Sequence, residues 1–323
     1  MSWFSPVYNF FSNMFGSKPS TTPVVVEPSS PTPLPPTPIT PTVVVVPTSP
    51  IVVPTVIVKK AKGNCISVID GINKYQMPGN NLNGCVDDAI DTQTLLQKYN
   101  FNPSNTTFLA DSDATTSNIT NALKDMLKRS SSGDELVWYH SSHGTRMALP
   151  DSGVEDDFLV TYDFDWDSPN NLSGHLIGQI LTDLKPGVDC TIIVDACHSG
   201  TVTRNFGREY RLRKFLPPPA HILTRSKNKN FPIRRAFHKD LIQNQGYLLL
   251  AGCADDQTSE ELQLGTQVRG IFTYSLNNSI RKHGDKNWSF VFNDAKTQMA
   301  YGNYEQTPQF SGDRYLTKQP FIA

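Results

Sequence analysis

The stretch Thr191-Ile192-Ile193-Val194-Asp195-Ala196-Cys197-His198-Ser199-Gly200 decides the reading of this chain. Its apolar, β-branched half has the composition of a short strand, and its second half is a turn of small residues that presents a cysteine. About fifty residues upstream, Leu136-Val137-Trp138-Tyr139 runs in the same way into His140-Ser141-Ser142-His143-Gly144. Two strands of buried type thus end in a thiol and an imidazole, the groups that a nucleophile–base pair requires. Parallel strands that end on one edge of a sheet bring such side chains together although they are far apart in sequence.

Blander readings compete with this one. A cysteine after an apolar run is by default a buried small hydrophobe, and a single histidine is by default a satisfied structural residue. The pairing shifts the balance, because both groups sit at strand ends among small polar residues and glycines. Glycine lets the backbone turn sharply and lets a substrate approach closely. A phosphatase loop fails on spacing: Thr203 stands where its arginine belongs, and Arg204 comes one residue too late. A zinc site at His140 and His143 fails on direction, since their spacing at a strand end does not put both rings on one face.

The surrounding pattern alternates strands and helices. Strands are expected over 66–69, 107–110, 136–139, 191–194 and 247–251. Helices are expected over 86–99, 117–129 with Ser117 as N-cap, 174–184 and 273–282. That order implies an α/β fold, a mostly parallel sheet with helices on both faces and the chemistry at its carboxyl edge.

Composition bounds the rest. Of the 323 residues 24 are proline, and twelve of these lie between Pro19 and Pro54 among Thr, Ser and Val. Residues 19–58 therefore read as an extended, disordered proline-rich linker. The aromatic-rich segment 1–18 contains Trp3, Phe4, Tyr8, Phe10, Phe11 and Phe15 but has no basic leader before an apolar core, so a secretory signal is not expected. Residues 59–323 leave about 260 positions for one globular domain, enough for a sizeable core. No window reaches membrane-spanning length. The net charge of −1 gives no general pull toward nucleic acid. Five cysteines without paired spacing point to reduced thiols and a cytoplasmic setting. Basic residues crowd the stretch 204–240, including Arg208, Arg211, Arg213, Lys214, Arg225, Lys227, Arg234 and Arg235, with Pro217-Pro218-Pro219 inside it. It reads as a long exposed loop or insertion.

Several motifs occur in a telling order: Gly71-Ile72-Asn73-Lys74-Tyr75, Leu82-Asn83-Gly84-Cys85-Val86-Asp87-Asp88-Ala89, His143-Gly144, Asp195-Ala196-Cys197-His198-Ser199-Gly200, Ala251-Gly252-Cys253-Ala254-Asp255-Asp256-Gln257-Thr258-Ser259, Gly270-Ile271-Phe272-Thr273-Tyr274-Ser275-Leu276 and Gln306-Thr307-Pro308-Gln309. Together they resemble the caspase-like cysteine peptidases, and within them the metacaspases and the bacterial orthocaspases. The resemblance runs from about Cys65 to the C-terminus.

The resemblance implies a three-layer α/β/α caspase-like fold and a monomeric endopeptidase acting on protein and peptide substrates. It implies Cys197 as nucleophile, His143 as base, and the amides of Gly144 and Cys197 as oxyanion donors. His198 is a rival base, ranked lower because adjacent strand residues face opposite ways. A pocket for Arg or Lys needs carboxylates, and Asp195, two residues before Cys197, faces the same side on a strand. The family assigns Asp195 and Asp88 to a pocket for a basic P1 residue, with Ser141 and Cys85 beside them. Asp88 alone reads equally as an exposed acid in a helix's first turn. Cutting after basic residues makes 204–240 a candidate self-cleavage segment. The chemistry needs no cofactor. Calcium is an expected activator through the acid-rich loop Asp151–Asp157, with Asp156 and Asp157 as ligands, although Asn171-Leu172-Ser173-Gly174-His175 departs from the family's second acidic pair. Asp70 stands where the family carries an apolar residue. The rivals are a catalytically silent caspase-like interaction module and an Asp-specific caspase.

Overall fold

Apolar runs that are buried on both sides build the middle of this molecule, described here from a computed structural model. The described residues are 63–149, 155–198, 212–227, 246–254, 257–302, 304 and 306–312. The segments 1–18 and 19–58 and most of the basic stretch lie outside them.

In chain order the elements are β1 (Cys65–Gly71), α1 (Cys85–Gln97), β2 (Thr106–Ala110), α2 (Thr116–Arg129), β3 (Glu135–Ser141), β4 (Gly144–Ala148), β5 (Glu155–Leu159), α3 (Gly174–Leu181) and β6 (Asp189–Asp195). Then come β7 (Leu212–Arg213), α4 (Ala220–Lys227), β8 (Tyr247–Ala251), β9 (Glu260–Leu264), β10 (Gln267–Gly270), α5 (Ile271–His283), α6 (Trp288–Tyr301) and β11 (Gln309–Gly312).

Six strands form the central sheet in the order β11-β8-β6-β3-β1-β2. All neighbours are parallel except β11, which runs antiparallel to β8. Each of the inner strands β1, β3, β6 and β8 is almost wholly buried, as a parallel sheet covered on both faces demands. Alternate residues feed two cores. Ile66, Val68, Trp138, Ile192 and Val194 pack with α2 and α3 residues such as Ile119, Leu123 and Ile177. Ile69, Val137, Tyr139, Ile193 and Leu250 pack with Leu95 of α1, Phe272 of α5 and Val291 of α6. Each such side chain contributes about 1.5–3 kcal/mol by leaving water. The three-layer α/β/α expectation holds.

Element boundaries move by one to three residues from the sequence reading, and one cap changes. Helix α2 begins after Thr115, whose hydroxyl accepts the Asn118 amide at 3.2 Å. Thr115 has the extended backbone of an N-cap, whereas Ser117 lies inside the first turn.

The chain fixes where a site can form. From β1 it passes to β2 on one side and then returns to β3 on the other, so the strand order reverses between β1 and β3. That switch point opens a crevice at the carboxyl ends of these strands. There Gly71 pairs with Ser141, and Ser141 in turn pairs with Asp195.

Candidate active site

The period of two along the strands splits the crevice into two faces. Ser141 and Asp195 share the face of Tyr139 and Ile193, toward α1 and α5. Asp70 and His140 share the face of Val68 and Trp138, toward α2 and α3. His143 follows in the turn between β3 and β4. Its amide donates to the Tyr75 hydroxyl at 2.9 Å, and its carbonyl accepts the Val160 amide at 2.9 Å. The imidazole Nε2 lies 2.8 Å from the Asn80 carbonyl. That oxygen can only accept, so Nε2 carries the proton and Nδ1 is left as the basic atom. Nδ1 is buried with no hydrogen-bond partner among the described residues. Burial is the main reason the ring's pKa drops to about 4; the Asn80 carbonyl opposes it and Lys214 adds to it.

Cys197 lies two residues beyond the end of β6, in the turn rather than on the strand, so the strand alternation does not govern it. Its sulfur meets the Ser259 amide and lies 3.6 Å from the Ser259 carbonyl. Ser259 also donates its hydroxyl to Asp195. Asp195 and Cys197 therefore share a neighbour, although for a different reason than strand alternation. Burial, with Cys253 next, pushes the thiol well above its ordinary pKa. Burial thus favours the uncharged form of both groups, the thiol and the neutral imidazole.

A piece of the basic stretch fills the cleft between these groups. Residues Leu212 and Arg213 of β7 pair antiparallel with Glu261 and Glu260 of β9. Lys214 follows, and its amide donates to the Ser259 carbonyl at 2.8 Å. Its carbonyl oxygen accepts two amides at once, Gly144 at 3.0 Å and Cys197 at 3.2 Å. Its ammonium donates to Asp195 and to Ser141 at 2.9 Å each and lies 3.6 Å from Asp88. Phe215 then bridges to Gly144, and the Leu216 amide donates to the Gly144 carbonyl at 2.9 Å. Two converging amides around one carbonyl are the geometry of an oxyanion hole. A Cβ on Gly144 would overlap the Cys197 carbonyl, so only glycine allows the two donors to approach this closely.

Similarity to known proteins extends across the same domain. The caspase-domain profile matches residues 64–318. The chain belongs to the caspase-domain family of cysteine peptidases. Among curated relatives, metacaspase-1B of Neosartorya fischeri is 25% identical over 285 residues, covering 76% of this chain and 68% of that protein. Metacaspase-1 of Emericella nidulans is 24% identical over 300 residues, covering 80% and 72%. A structural-genomics protein of Geobacter sulfurreducens shares the fold with a TM-score of 0.61 at 22% identity, over 81% of this chain and 99% of that one. Caspase-1 of Spodoptera frugiperda does so with a TM-score of 0.51 at 13% identity, over 78% and 87%.

In this caspase-domain peptidase, Lys214 departs from the expectation of an exposed loop, while residues 204–211 and 228–240 lie outside the described residues. It is among the largest fully buried side chains. Two carboxylates compete for its one charge. Burial raises Asp195, but Lys214 and the hydroxyls of Ser259 and Thr273 outweigh that and hold it below the usual carboxylate range. Asp88 receives the Gly270 amide at 2.7 Å and has Lys214 and Arg269 at 3.6 and 3.7 Å. Burial, helped by the Asp195 charge, outweighs these and pushes it well up. Burial also works against the Lys214 charge, yet Asp195, Cys85 and Asp88 keep its pKa well above the ordinary value. The alternative reading of Asp88 as an exposed helix-start acid is wrong, because the residue is buried under Gly270 and Lys214. Cys85 stands beside the pocket with its thiol 3.5 Å from Glu261.

Protein groups engage the acidic pair expected to hold calcium. Asp157 is tied to Arg146 at 2.6 Å, and Asp156 accepts the Asp157 and His175 amides. Asp157 faces Arg146 across the β4–β5 hairpin and Asp156 faces the start of α3, and among the described residues no group of three metal-binding side chains comes together. Residues 151–154 lie outside the described residues.

Sequence reasoning missed Lys214 as occupant, Ser259 as the hinge between thiol and pocket, and Glu261, which accepts the Asn83 and Gly84 amides at 2.9 and 2.8 Å. The only signal for Lys214 was its place in a basic run. The rival base His198 follows Cys197 in the same turn and is half-buried.

Proposed function

We propose that this caspase-domain peptidase hydrolyses peptide bonds after lysine or arginine, and that its first substrate is its own Lys214–Phe215 bond. The observation that carries the reading is Lys214 itself, bound as a P1 residue would be. Its ammonium lies between Asp195, Ser141 and Asp88, and its carbonyl lies between two amides. An aspartate side chain in the same place would meet two carboxylates, which argues against an Asp-specific caspase. The intact donors, thiol and imidazole argue against a silent module.

In the reaction, the Cys197 thiol gives its proton to Nδ1 of His143, and the sulfur attacks the P1 carbonyl carbon. The negative charge that develops on its oxygen is met by the Gly144 and Cys197 amides, a kind of contact worth about a hundred- to a thousandfold in rate. The carbon–nitrogen bond breaks, and His143 returns the proton to the leaving amine. Water, deprotonated by the same nitrogen, then cleaves the thioester. The neutral ring and un-ionised thiol of the filled cleft are the state before this transfer. Five cysteines that form no disulfide support a reducing, cytoplasmic setting.

Mass spectrometry of the purified wild type and of Cys197→Ala tests the reading. The wild type should yield fragments ending at Lys214, and Cys197→Ala should remain whole there. Fluorogenic peptides ending in Arg, Lys or Asp, with and without calcium, complete the test. Cleavage after Asp, or the same fragments from both proteins, would overturn the basic pocket.

A further inference from the structure

We propose that Asp70, His140 and Ser142 are positioning residues: a buried chain that aims the His143–Gly144 peptide, and with it the Gly144 oxyanion donor. This rests on the roles proposed for Gly144 and His143. All three side chains are fully buried. Asp70 accepts the Trp138 indole N–H at 2.9 Å on one oxygen and meets Nδ1 of His140 with the other. Nε2 of His140 lies 2.7 Å from the Ser142 hydroxyl, which donates to the His143 carbonyl at 2.6 Å.

The proton count along this chain is fixed by its two ends. The Ser142 hydroxyl has a single proton, and the main-chain carbonyl can only accept it. Ser142 must therefore receive a proton bond from His140, so Nε2 carries hydrogen. One further proton then lies between Nδ1 and the Asp70 carboxyl, because two bare acceptors would repel there. Asp70 and His140 together hold both protons, and the pair is neutral overall inside the sheet face. Ser142 is not a second nucleophile: it is buried and its proton is committed to a peptide oxygen.

The consequence follows from peptide planarity. The His143 carbonyl and the Gly144 amide belong to one rigid unit. Ser142 and the Val160 amide hold its oxygen on one side, and Lys214's carbonyl receives its N–H on the other. A peptide held at its oxygen cannot tilt its N–H away from the developing oxyanion. Small errors of aim at such a donor cost rate rather than binding.

The test uses the full chain, with Ser142→Ala, Asp70→Asn and their double variant assayed on a fluorogenic Arg peptide. Rates are normalised to active sites titrated at saturation by an irreversible peptide probe with P1 Arg. Unfolded material, whose five exposed thiols any simple alkylating agent would label, then does not count. We expect kcat to fall about tenfold in each single variant at unchanged KM, with no further fall in the double variant, since Ser142 is the one link to the peptide. A peptide aldehyde with P1 Arg, whose adduct uses the same amides, should bind about tenfold more weakly to Ser142→Ala, while its alkylation rate stays that of wild type. If Asp70→Asn does not fold, Ser142→Ala decides alone. A kcat within twofold of wild type in Ser142→Ala, or single losses that multiply in the double variant, overturns the chain. A wild type that cleaves no basic peptide removes the proposed function and this inference together, and activity in His143→Ala removes only the base.

Discussion

At the scale of single residues, the filled cleft keeps its reactive groups uncharged, and that has a thermodynamic signature. Burial lowers His143 to about 4, below the ordinary value of 6.5. The unfolded chain therefore binds this proton first as pH falls, and the folded state loses stability between about pH 6.5 and 4. Above pH 6.5 the group costs nothing. A difference of about 2.5 units corresponds to roughly 3 kcal/mol across that window. Urea unfolding of Cys197→Ala should show this slope, and Cys197→Ala/His143→Gln should lack it. Equal slopes in both would mean that the ring is not buried as described. Asp195 carries the second residue-scale expectation. A hydrogen bond to a charged group contributes about 1.5–3 kcal/mol, so Asp195→Asn should lower kcat/KM on Lys and Arg peptides by about ten- to a hundredfold. Cys197 should stay alkylatable in that variant, because asparagine keeps the shape of the pocket. An unchanged kcat/KM would move the P1 site elsewhere.

At the scale of elements, some strands were legible in the sequence and others were not. β1, β3, β6 and β8 could be read because they are buried on both faces and so must be apolar throughout. β5, with Glu155-Asp156-Asp157-Phe158-Leu159, and β9, with Glu260-Glu261-Leu262-Gln263-Leu264, are polar ladders whose pairing is decided by partners distant in sequence. No local pattern marks them. Helix α6 had a readable signal, since Asn287 caps it by accepting the Phe290 amide at 2.9 Å. In the cleft, Asp88, Asp195 and Ser141 were legible from their motifs, whereas strand alternation did not relate Asp195 to Cys197 because β6 ends at Asp195. Lys214 was not, because only the pairing of β7 with β9 selects it from many basic neighbours. Asp70 was visible as an anomaly, and its partner His140 explains it only once β1 and β3 are in register. The corner between β10 and α5 provides a test of this packing. A Cβ on Gly270 would come within 2.6 Å of the Lys214 ammonium and 2.7 Å of Asp88. Gly270→Ala should therefore raise KM for Arg and Lys peptides at least tenfold while leaving thiol alkylation intact. A KM equal to that of wild type would mean that substrate does not reach as deep as Lys214 does.

At the scale of the whole molecule, the first strand of the sheet is an interior one. β1 pairs with β2 on one side and β3 on the other, and all seven of its residues are buried. Both cores begin with it, through Cys65, Ile66, Val68 and Ile69. The described members of both cores begin at Cys65, and the matched caspase domain starts at residue 64. The proline-rich composition of 19–58 also leaves little apolar surface to offset the entropy of ordering it. Deleting residues 1–58 should thus leave a folded enzyme. Its melting temperature should stay within about 4 °C of the full chain, the shift that about 1 kcal/mol makes in a domain of this size. Its kcat/KM on Arg peptides should match the full chain within twofold. Extending the deletion through Gly71 removes a strand with partners on both sides, and that chain should be insoluble. Calorimetry and the peptide assay on the two truncations decide the matter: a large loss of stability or activity on removing 1–58 would make that segment part of the working domain.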